Sequence, residues 1–348
     1  MSARIRVLIA DDSPTLRQAL ALLLSLEARI ELVGQAGDGE EAVRLATALR
    51  PDVVTMDVEM PKLDGVSATE QIMERCPTRV LMVCSASKER EVELTFRAIA
   101  AGALELCAKP TPLQSECENS AAPAQDRLRK FGRNVVDAIL LMAEVPVVGR
   151  RSLSTKSSSG PAHTHRIDVL GIAASTGGPP ALAEILGALP ARLPIAILVA
   201  QHIAHGFSDG LVRWLQRSSA LPIVRAQDGT LCARGNVYLP PDGCDLRLDS
   251  ANRLRTPRST GLHTPSADEL FLSLADSLGR RAAGLVLTGM GDDGAQGLLA
   301  LRRTGALCYA QEESSCVVYG MPRAAHSVGA VHEFVSLSRM ASLIVELS

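Results

Sequence analysis

Aromatic residues are scarce: one Trp, three Tyr and five Phe make up 3% of the 348 residues. Stacking platforms for single-stranded nucleic acid are correspondingly few. Neither sign of charge dominates. Thirty-six Lys and Arg stand against 38 Asp and Glu, a formal net charge of −2, so the basic footprint of a nucleic-acid binder is missing. None of the eight cysteines forms a C-x-x-C pair, which removes support for a zinc ribbon or a thioredoxin-type motif. The cysteines sit mostly in apolar runs, which suits a reducing compartment. No apolar run approaches the roughly 18 residues of a membrane span. The apolar stretch before Asp11 is too short for a signal-peptide core. These absences predict a cytoplasmic protein with neither a nucleic-acid partner nor membrane insertion.

What is present is ordinary globular material, 47% hydrophobic and 21% charged. At roughly 100–200 residues per domain the length predicts two domains. In the first, short apolar runs at 6–10, 30–36, 53–58, 80–84 and 104–108 alternate with helical patterns at 15–26, 39–49, 67–75 and 89–101. A polar loop follows at 111–123. Leu128, Phe131, Val135, Ile139 and Met142 then recur at steps of three and four, predicting a last helix over 125–144. The first domain therefore spans 1–145. The Ser-rich, basic stretch within 146–166 has linker composition. The second domain, 167–348, carries strand-like runs at 167–174, 195–200, 237–239, 245–248 and 284–287, and helical patterns at 179–187, 211–216, 266–278 and 294–303. Strand–helix alternation predicts α/β architecture with parallel sheets in both domains, the second doubly wound and mostly parallel. Its all-apolar strands predict both faces covered.

In the first domain Asp11 and Asp12 follow the first strand, Asp57 ends the third and Lys109 follows the fifth. Strand ends of an open parallel sheet share one crevice. Three carboxylates there repel one another unless a hard cation sits among them, and oxygen-only ligands favour Mg²⁺. A carboxylate can accept a phosphoryl group, and a nearby ammonium neutralises developing charge. Read singly, Asp11 and Asp12 are helix caps and Asp57 a turn residue. Taken together, Ile-Ala-Asp11-Asp12-Ser, Met-Asp57-Val-Glu-Met-Pro61, Gly65 and Lys109-Pro110 resemble the receiver domain of response regulators, with its flavodoxin-like parallel sheet. The resemblance implies that a histidine kinase phosphorylates Asp57. It also implies that Asp11, Asp12, Asp57 and the carbonyl of Glu59 hold Mg²⁺, with Lys109 as a switch residue. Two positions depart from that pattern: Cys84 stands where receivers place Thr or Ser, with Ser85 next to it, and Leu106 stands where an aromatic is usual.

In the second domain Ala173-Ala174-Ser175-Thr176-Gly177-Gly178-Pro179 joins a buried strand to a helix, close to a nucleophile elbow. The helix N-terminus behind it is expected to offer unsatisfied N–H groups to an oxyanion. A helix cap or a phosphate-binding loop is the other reading of this segment. His202 follows the second strand, and Asp292 and Asp293 follow the strand at 284–287. Ser175, His202 and Asp293 thus lie past three strand ends that converge on one sheet edge, where they can form a Ser-His-Asp relay. The pair His202 and His205 also has metal-ligand spacing, but lacks a third ligand nearby.

Ile172-Ala-Ala-Ser175-Thr-Gly-Gly-Pro, Val199-Ala-Gln-His202, Tyr238-Leu-Pro-Pro241 and Leu287-Thr-Gly-Met290-Gly-Asp-Asp293-Gly resemble the CheB chemotaxis methylesterase family. The resemblance implies hydrolysis of glutamate methyl esters on methyl-accepting chemoreceptors, and deamidation of selected receptor glutamines. It implies Ser175 as nucleophile, His202 as base, Asp293 as orienting acid, and Thr176 with the Met290 N–H as oxyanion donors. No cofactor is expected for the esterase. The competing readings are a receiver-gated serine hydrolase of another ester or amide, and a non-enzymatic docking module gated by phosphorylation.

Overall fold

The computed structural model describes residues 4–85, 89–109, 124–143, 166–261 and 263–348. The expected loop at 111–123 and the linker, save Arg166, lie outside them. The chain divides into two compact units, Met1–Arg150 and Arg151–Ser348.

In the first unit the elements are β1 (Ile5–Ala10), α1 (Pro14–Ser25), β2 (Ile30–Ala36), α2 (Gly39–Leu49), β3 (Val53–Met56), α3 (Gly65–Arg75), β4 (Arg79–Cys84), α4 (Glu89–Ala101), β5 (Glu105–Ala108) and α5 (Ala124–Ala143). The strands pair in parallel in the order β2-β1-β3-β4-β5. Leu8, Ile9, Met56, Leu81 and Met82 are fully buried between the helical layers, which explains their continuous apolar runs. The strand order reverses between β1 and β3. Asp11 and Asp57 follow those two strands directly, at the topological switch point. Asp11 and Asp12 do not cap α1, contrary to the reading of each alone. Ser13 is the cap, its Oγ accepting the Leu16 N–H at 3.3 Å, and Asp11 Oδ1 in turn accepts the Ser13 N–H at 2.8 Å.

The second unit contains β6 (Val169–Ala174), α6 (Gly178–Ala188), β7 (Ala196–Gln201), α7 (Ser208–Ser218), β8 (Ile223–Arg225), β9 (Val237–Leu239), β10 (Arg247–Leu248), β11 (Leu254–Arg255), α8 (Ala267–Ser277), β12 (Ala282–Val286), α9 (Ala295–Arg303), β13 (Leu307–Gln311), α10 (Met321–Ser327), β14 (Glu333–Val335) and α11 (Leu337–Leu347). Its main sheet is parallel, in the order β14-β13-β12-β6-β7-β9-β8. The expected strand at 245–248 shrinks to β10 and leaves that sheet for an antiparallel ribbon with β11. The elements beyond 303 add two strands at one edge of the sheet. From the central β6 the chain winds to β7 on one side and later through β12 and β13 on the other, so β12, β6 and β7 are adjacent at the switch point.

Two glycines set how closely the helices approach this centre. Gly284 of β12 pairs with Gly171 of β6. A Cβ on Gly171 would lie 2.7 Å from Leu274 Cδ1 and 3.2 Å from Phe271 Cε1, and one on Gly284 only 2.3 Å from Leu298 Cδ1. The missing side chains form a slot that takes Phe271 and Leu274 of α8 and Leu298 of α9, all fully buried. Seated there, α8 brings its N-terminus to the C-terminal edge of the sheet. Among the described residues no helix is long and apolar enough to cross a membrane. Emptying the slot by Phe271→Ala is expected to cost about 3–5 kcal/mol in urea unfolding of this unit; a loss below about 1 kcal/mol would contradict the packing described.

Candidate functional site

The nucleophile candidate leaves β6 on a tightly tied backbone. Ala174 pairs with Gln201 of β7, and the His202 N–H donates to Ala174 O at 2.9 Å, so Ser175 and His202 leave adjacent strands side by side. The Ser175 N–H donates to Thr288 O at 3.1 Å, and Ser175 O accepts the Gly178 N–H at 2.8 Å. Gly177 turns the chain with φ +77°, where a Cβ would lie 2.6 Å from Val317 Cβ. Gly289 of the third loop lies against the serine: a Cβ there would sit 2.7 Å from Ser175 Cβ.

The N-terminus of α6 does not offer the expected array of free N–H groups. Its second and third positions, Pro179 and Pro180, have no N–H, and that of Gly178 is already bonded to Ser175 O. This removes the helix as the main oxyanion donor and with it the phosphate-loop reading. The two other expected donors are placed differently from each other. Among the described residues nothing accepts the N–H of Met290, a half-buried residue next to Gly289 at the serine turn. Thr176 is buried, and its carbonyl accepts from Thr288 Oγ1 at 3.0 Å.

His202 and Asp293 are joined. His202 Nε2 lies 2.8 Å from Asp293 Oδ2, with side-chain exposures of 11% and 7%. The carboxylate is anchored at the N-terminus of α8, accepting the Ala267 N–H at 2.7 Å, the Asp268 N–H at 3.0 Å and Ser266 Oγ at 3.2 Å. Burial alone would raise its pKa, but the His202 and backbone hydrogen bonds outweigh burial and hold it down at about 2. An ionised Asp293 fixes the proton on Nε2 and leaves Nδ1 as the ring nitrogen able to accept one. Ser175 Oγ makes no hydrogen bond to His202. The exposed ring of His263 stacks on His202, centroids 4.9 Å apart and planes 11° apart. His205 does not join His202 as a metal pair. Its Nδ1 lies 2.5 Å from Asp242 Oδ2 instead.

Sequence reasoning missed the residues that hold this edge together. Gln201 donates to both Ser175 O and His202 O. Gln311 accepts the Thr288 N–H at 2.8 Å and donates to Ser315 O at 2.7 Å. Both are buried polar residues ending apolar strands, and that position was the available signal.

In the first unit Asp11, Asp12 and Asp57 each present a carboxylate oxygen, all within 4.8 Å of one another; among the described residues this is the one such group suited to a metal ion. Lys109 Nζ lies 2.6 Å from Asp57 Oδ2 and 3.3 Å from Asp11 Oδ2. Burial raises the Asp57 carboxyl to about 6, against the lowering effect of Lys109 and with a further push up from Asp11. Asp11 Oδ2 is buried and accepts no hydrogen bond. Carboxylates that are buried, mutually repelling and short of donors fit a hard divalent cation. Cys84 is fully buried, and its thiol accepts from Thr95 Oγ1 at 3.0 Å. Burial pushes its pKa to about 12, so it stays a neutral thiol. The Ser85 N–H donates to Glu91 Oε2, and the Glu59 side chain pairs with Arg90.

Comparison with known proteins agrees in both units. The CheB methylesterase family matches residues 170–344, and the response regulator receiver domain matches residues 7–118. A protein-glutamate methylesterase/protein-glutamine glutaminase of Myxococcus xanthus is 48% identical, over 98% of this chain and 93% of that protein. One from Caulobacter vibrioides is 39% identical, over 99% and 98%. The crystal structure of the Thermotoga maritima CheB methylesterase catalytic domain superposes with a TM-score of 0.51 at 28% identity, covering 53% of this chain and all of that domain. With its serine turn, its histidine–aspartate pair and a receiver domain ahead of them, the chain belongs to the CheB methylesterase family.

Proposed function

We propose that this protein is a cytoplasmic, phosphorylation-regulated serine hydrolase that demethylates glutamate methyl esters on chemoreceptors and deamidates receptor glutamines in chemotaxis adaptation. The observation that carries the reading is the His202–Asp293 hydrogen bond at the strand end next to Ser175. His202 Nδ1 takes the hydroxyl proton as Ser175 Oγ attacks the ester carbonyl. Thr176 and the Met290 N–H stabilise the oxyanion. The imidazolium, stabilised by Asp293, returns the proton to the departing methoxide, and methanol leaves. Water, deprotonated by the same nitrogen, then attacks the acyl-serine; the imidazolium returns that proton to Ser175 Oγ as its bond to the acyl carbon breaks, and the glutamic acid product ionises to the carboxylate. With a glutamine side chain the leaving group is ammonia and the rest is identical. General-base help contributes about 10²–10⁴-fold and an oxyanion donor about 10²–10³-fold.

In the receiver an Asp57 oxygen attacks phosphorus, and the bond from phosphorus to the kinase's histidine nitrogen breaks. Mg²⁺ held by Asp11, Asp12, Asp57 and the Glu59 carbonyl would neutralise charge on the phosphoryl oxygens. Lys109, already bonded to Asp57, serves the same charge from the protein side and acts as the switch cation. Cys84, a weak donor held by Thr95, replaces the usual hydroxyl and weakens this chain's grip on the phosphoryl group.

Three outcomes test this reading. Ser175→Ala is expected to fold normally yet release no methanol from methylated receptor membranes; near-parental release would overturn the assignment. Asp293→Asn is expected to lower kcat by about 10³–10⁴-fold. Because the Asp293 pKa is depressed, its stabilising effect is complete above the ordinary carboxylate value of 3.8 and fades as pH falls toward about 2. Urea melts of this variant and the parent should therefore differ at pH 6 and converge near pH 2. Asp57→Asn is expected to keep basal esterase activity and lose acceleration by a small phosphodonor. Acceleration that persists would place phosphorylation elsewhere.

A further inference from the structure

Strand β7 is entirely buried and apolar until its last residue, Gln201, which is 3% exposed. Its side-chain nitrogen donates to Ser175 O at 2.9 Å and to His202 O at 2.8 Å. One amide group thus links the carbonyls of the two residues between which the proton must pass. The opposite amide orientation is excluded, because it would aim an oxygen at both carbonyls. The β6–β7 backbone ladder ends with the His202 N–H on Ala174 O. Beyond that rung Ser175 turns toward α6 and His202 toward α7, and the Gln201 side chain forms the next rung between them.

Among the described residues His202 O accepts from the Gln201 amide alone, but the bond to Ser175 O is not needed to satisfy that carbonyl. Ser175 O already accepts the Gly178 N–H. The price of the arrangement is Gln201 Oε1, which is buried and accepts no hydrogen bond. An orphaned buried acceptor costs about 1–3 kcal/mol. Room for that oxygen also constrains the next turn, since a Cβ on Gly178 would lie 2.0 Å from it. What the amide adds is a fixed separation between the serine and histidine backbones.

We infer that Gln201 is a positioning residue that sets the distance between the Ser175 nucleophile and the His202 base. It acts through those residues, since its burial keeps it from substrate. The inference rests on the serine-hydrolase reading given above. A misplacement of about 1 Å in such a pair can cost about 10²-fold in rate.

The test uses the full-length protein with Gln201→Met, which keeps length and removes the donors, and Gln201→Glu, which puts an oxygen where the donors were. Both are expected to lower kcat by about 10²-fold with KM changed less than about threefold. The acid-limb pKa of kcat/KM should stay at the parental value in Gln201→Met, because the His202–Asp293 bond is untouched. Folded variants with kcat within twofold of the parent, or with the loss confined to KM, would overturn the proposal. Failure of both to fold would assign Gln201 to the fold and overturn it equally. An inactive Ser175→Ala beside fully active Gln201 variants refutes this inference alone, whereas an active Ser175→Ala refutes the hydrolase reading beneath it.

Discussion

The buried carboxylate of Asp293 is the constraint on which this edge of the sheet depends. Taking a charge out of water is costly unless partners surround it. Here they are the His202 ring, a serine hydroxyl and two backbone N–H groups at the positive end of α8. The hydroxyl and the two N–H groups are in place because α8 sits low on the sheet, in the slot left by Gly171 and Gly284. The neighbouring helix completes the arrangement: Asp268 at the start of α8 accepts the Gly297 N–H of α9 at 2.7 Å. Each helix start is therefore held by an acid associated with the other, and the Asp293 turn is fixed between them. Sheet packing, helix capping and imidazole tautomer are one connected problem.

The two units solve a related electrostatic problem in opposite ways. Both gather polar groups at the switch point of a parallel sheet. In the hydrolase unit the acid is saturated with donors, and its pKa falls to about 2. In the receiver unit burial, with a further push from Asp11, raises Asp57 to about 6 despite Lys109. The first arrangement orients a neighbour and stays charged. The second is one to which added positive charge binds favourably, which suits a centre that takes a cation and then a phosphoryl group.

Much of this was legible in the sequence. The bounds of β2, α2, α4 and β9 match the reading. The rule that parallel strand ends share an edge singled out Ser175, His202 and Asp293, and the structure brings His202 and Asp293 into contact beside the Ser175 strand end. The segment beyond 303 carried no such signal. β13 mixes Cys308, Tyr309 and Gln311, and β14 has three residues, two of them half-buried. Pro179 and Pro180 were in plain view and argue against an anion site at α6, because a helix start without N–H groups has little to offer one. Gln201 was visible too, but its role was not. Periodicity says that a side chain is buried, and only geometry says that its amide spans two carbonyls.

If Asp293 binds the Nε2–H of His202, Nδ1 is reserved for the serine proton. Nitrogen-15 NMR of the histidine-labelled protein at alkaline pH tests it directly. The expected result is a protonated, pyrrole-type Nε2 and an unprotonated, pyridine-type Nδ1, with the Nε2–H signal changed by Asp293→Asn. A neutral His202 protonated on Nδ1 instead would contradict it.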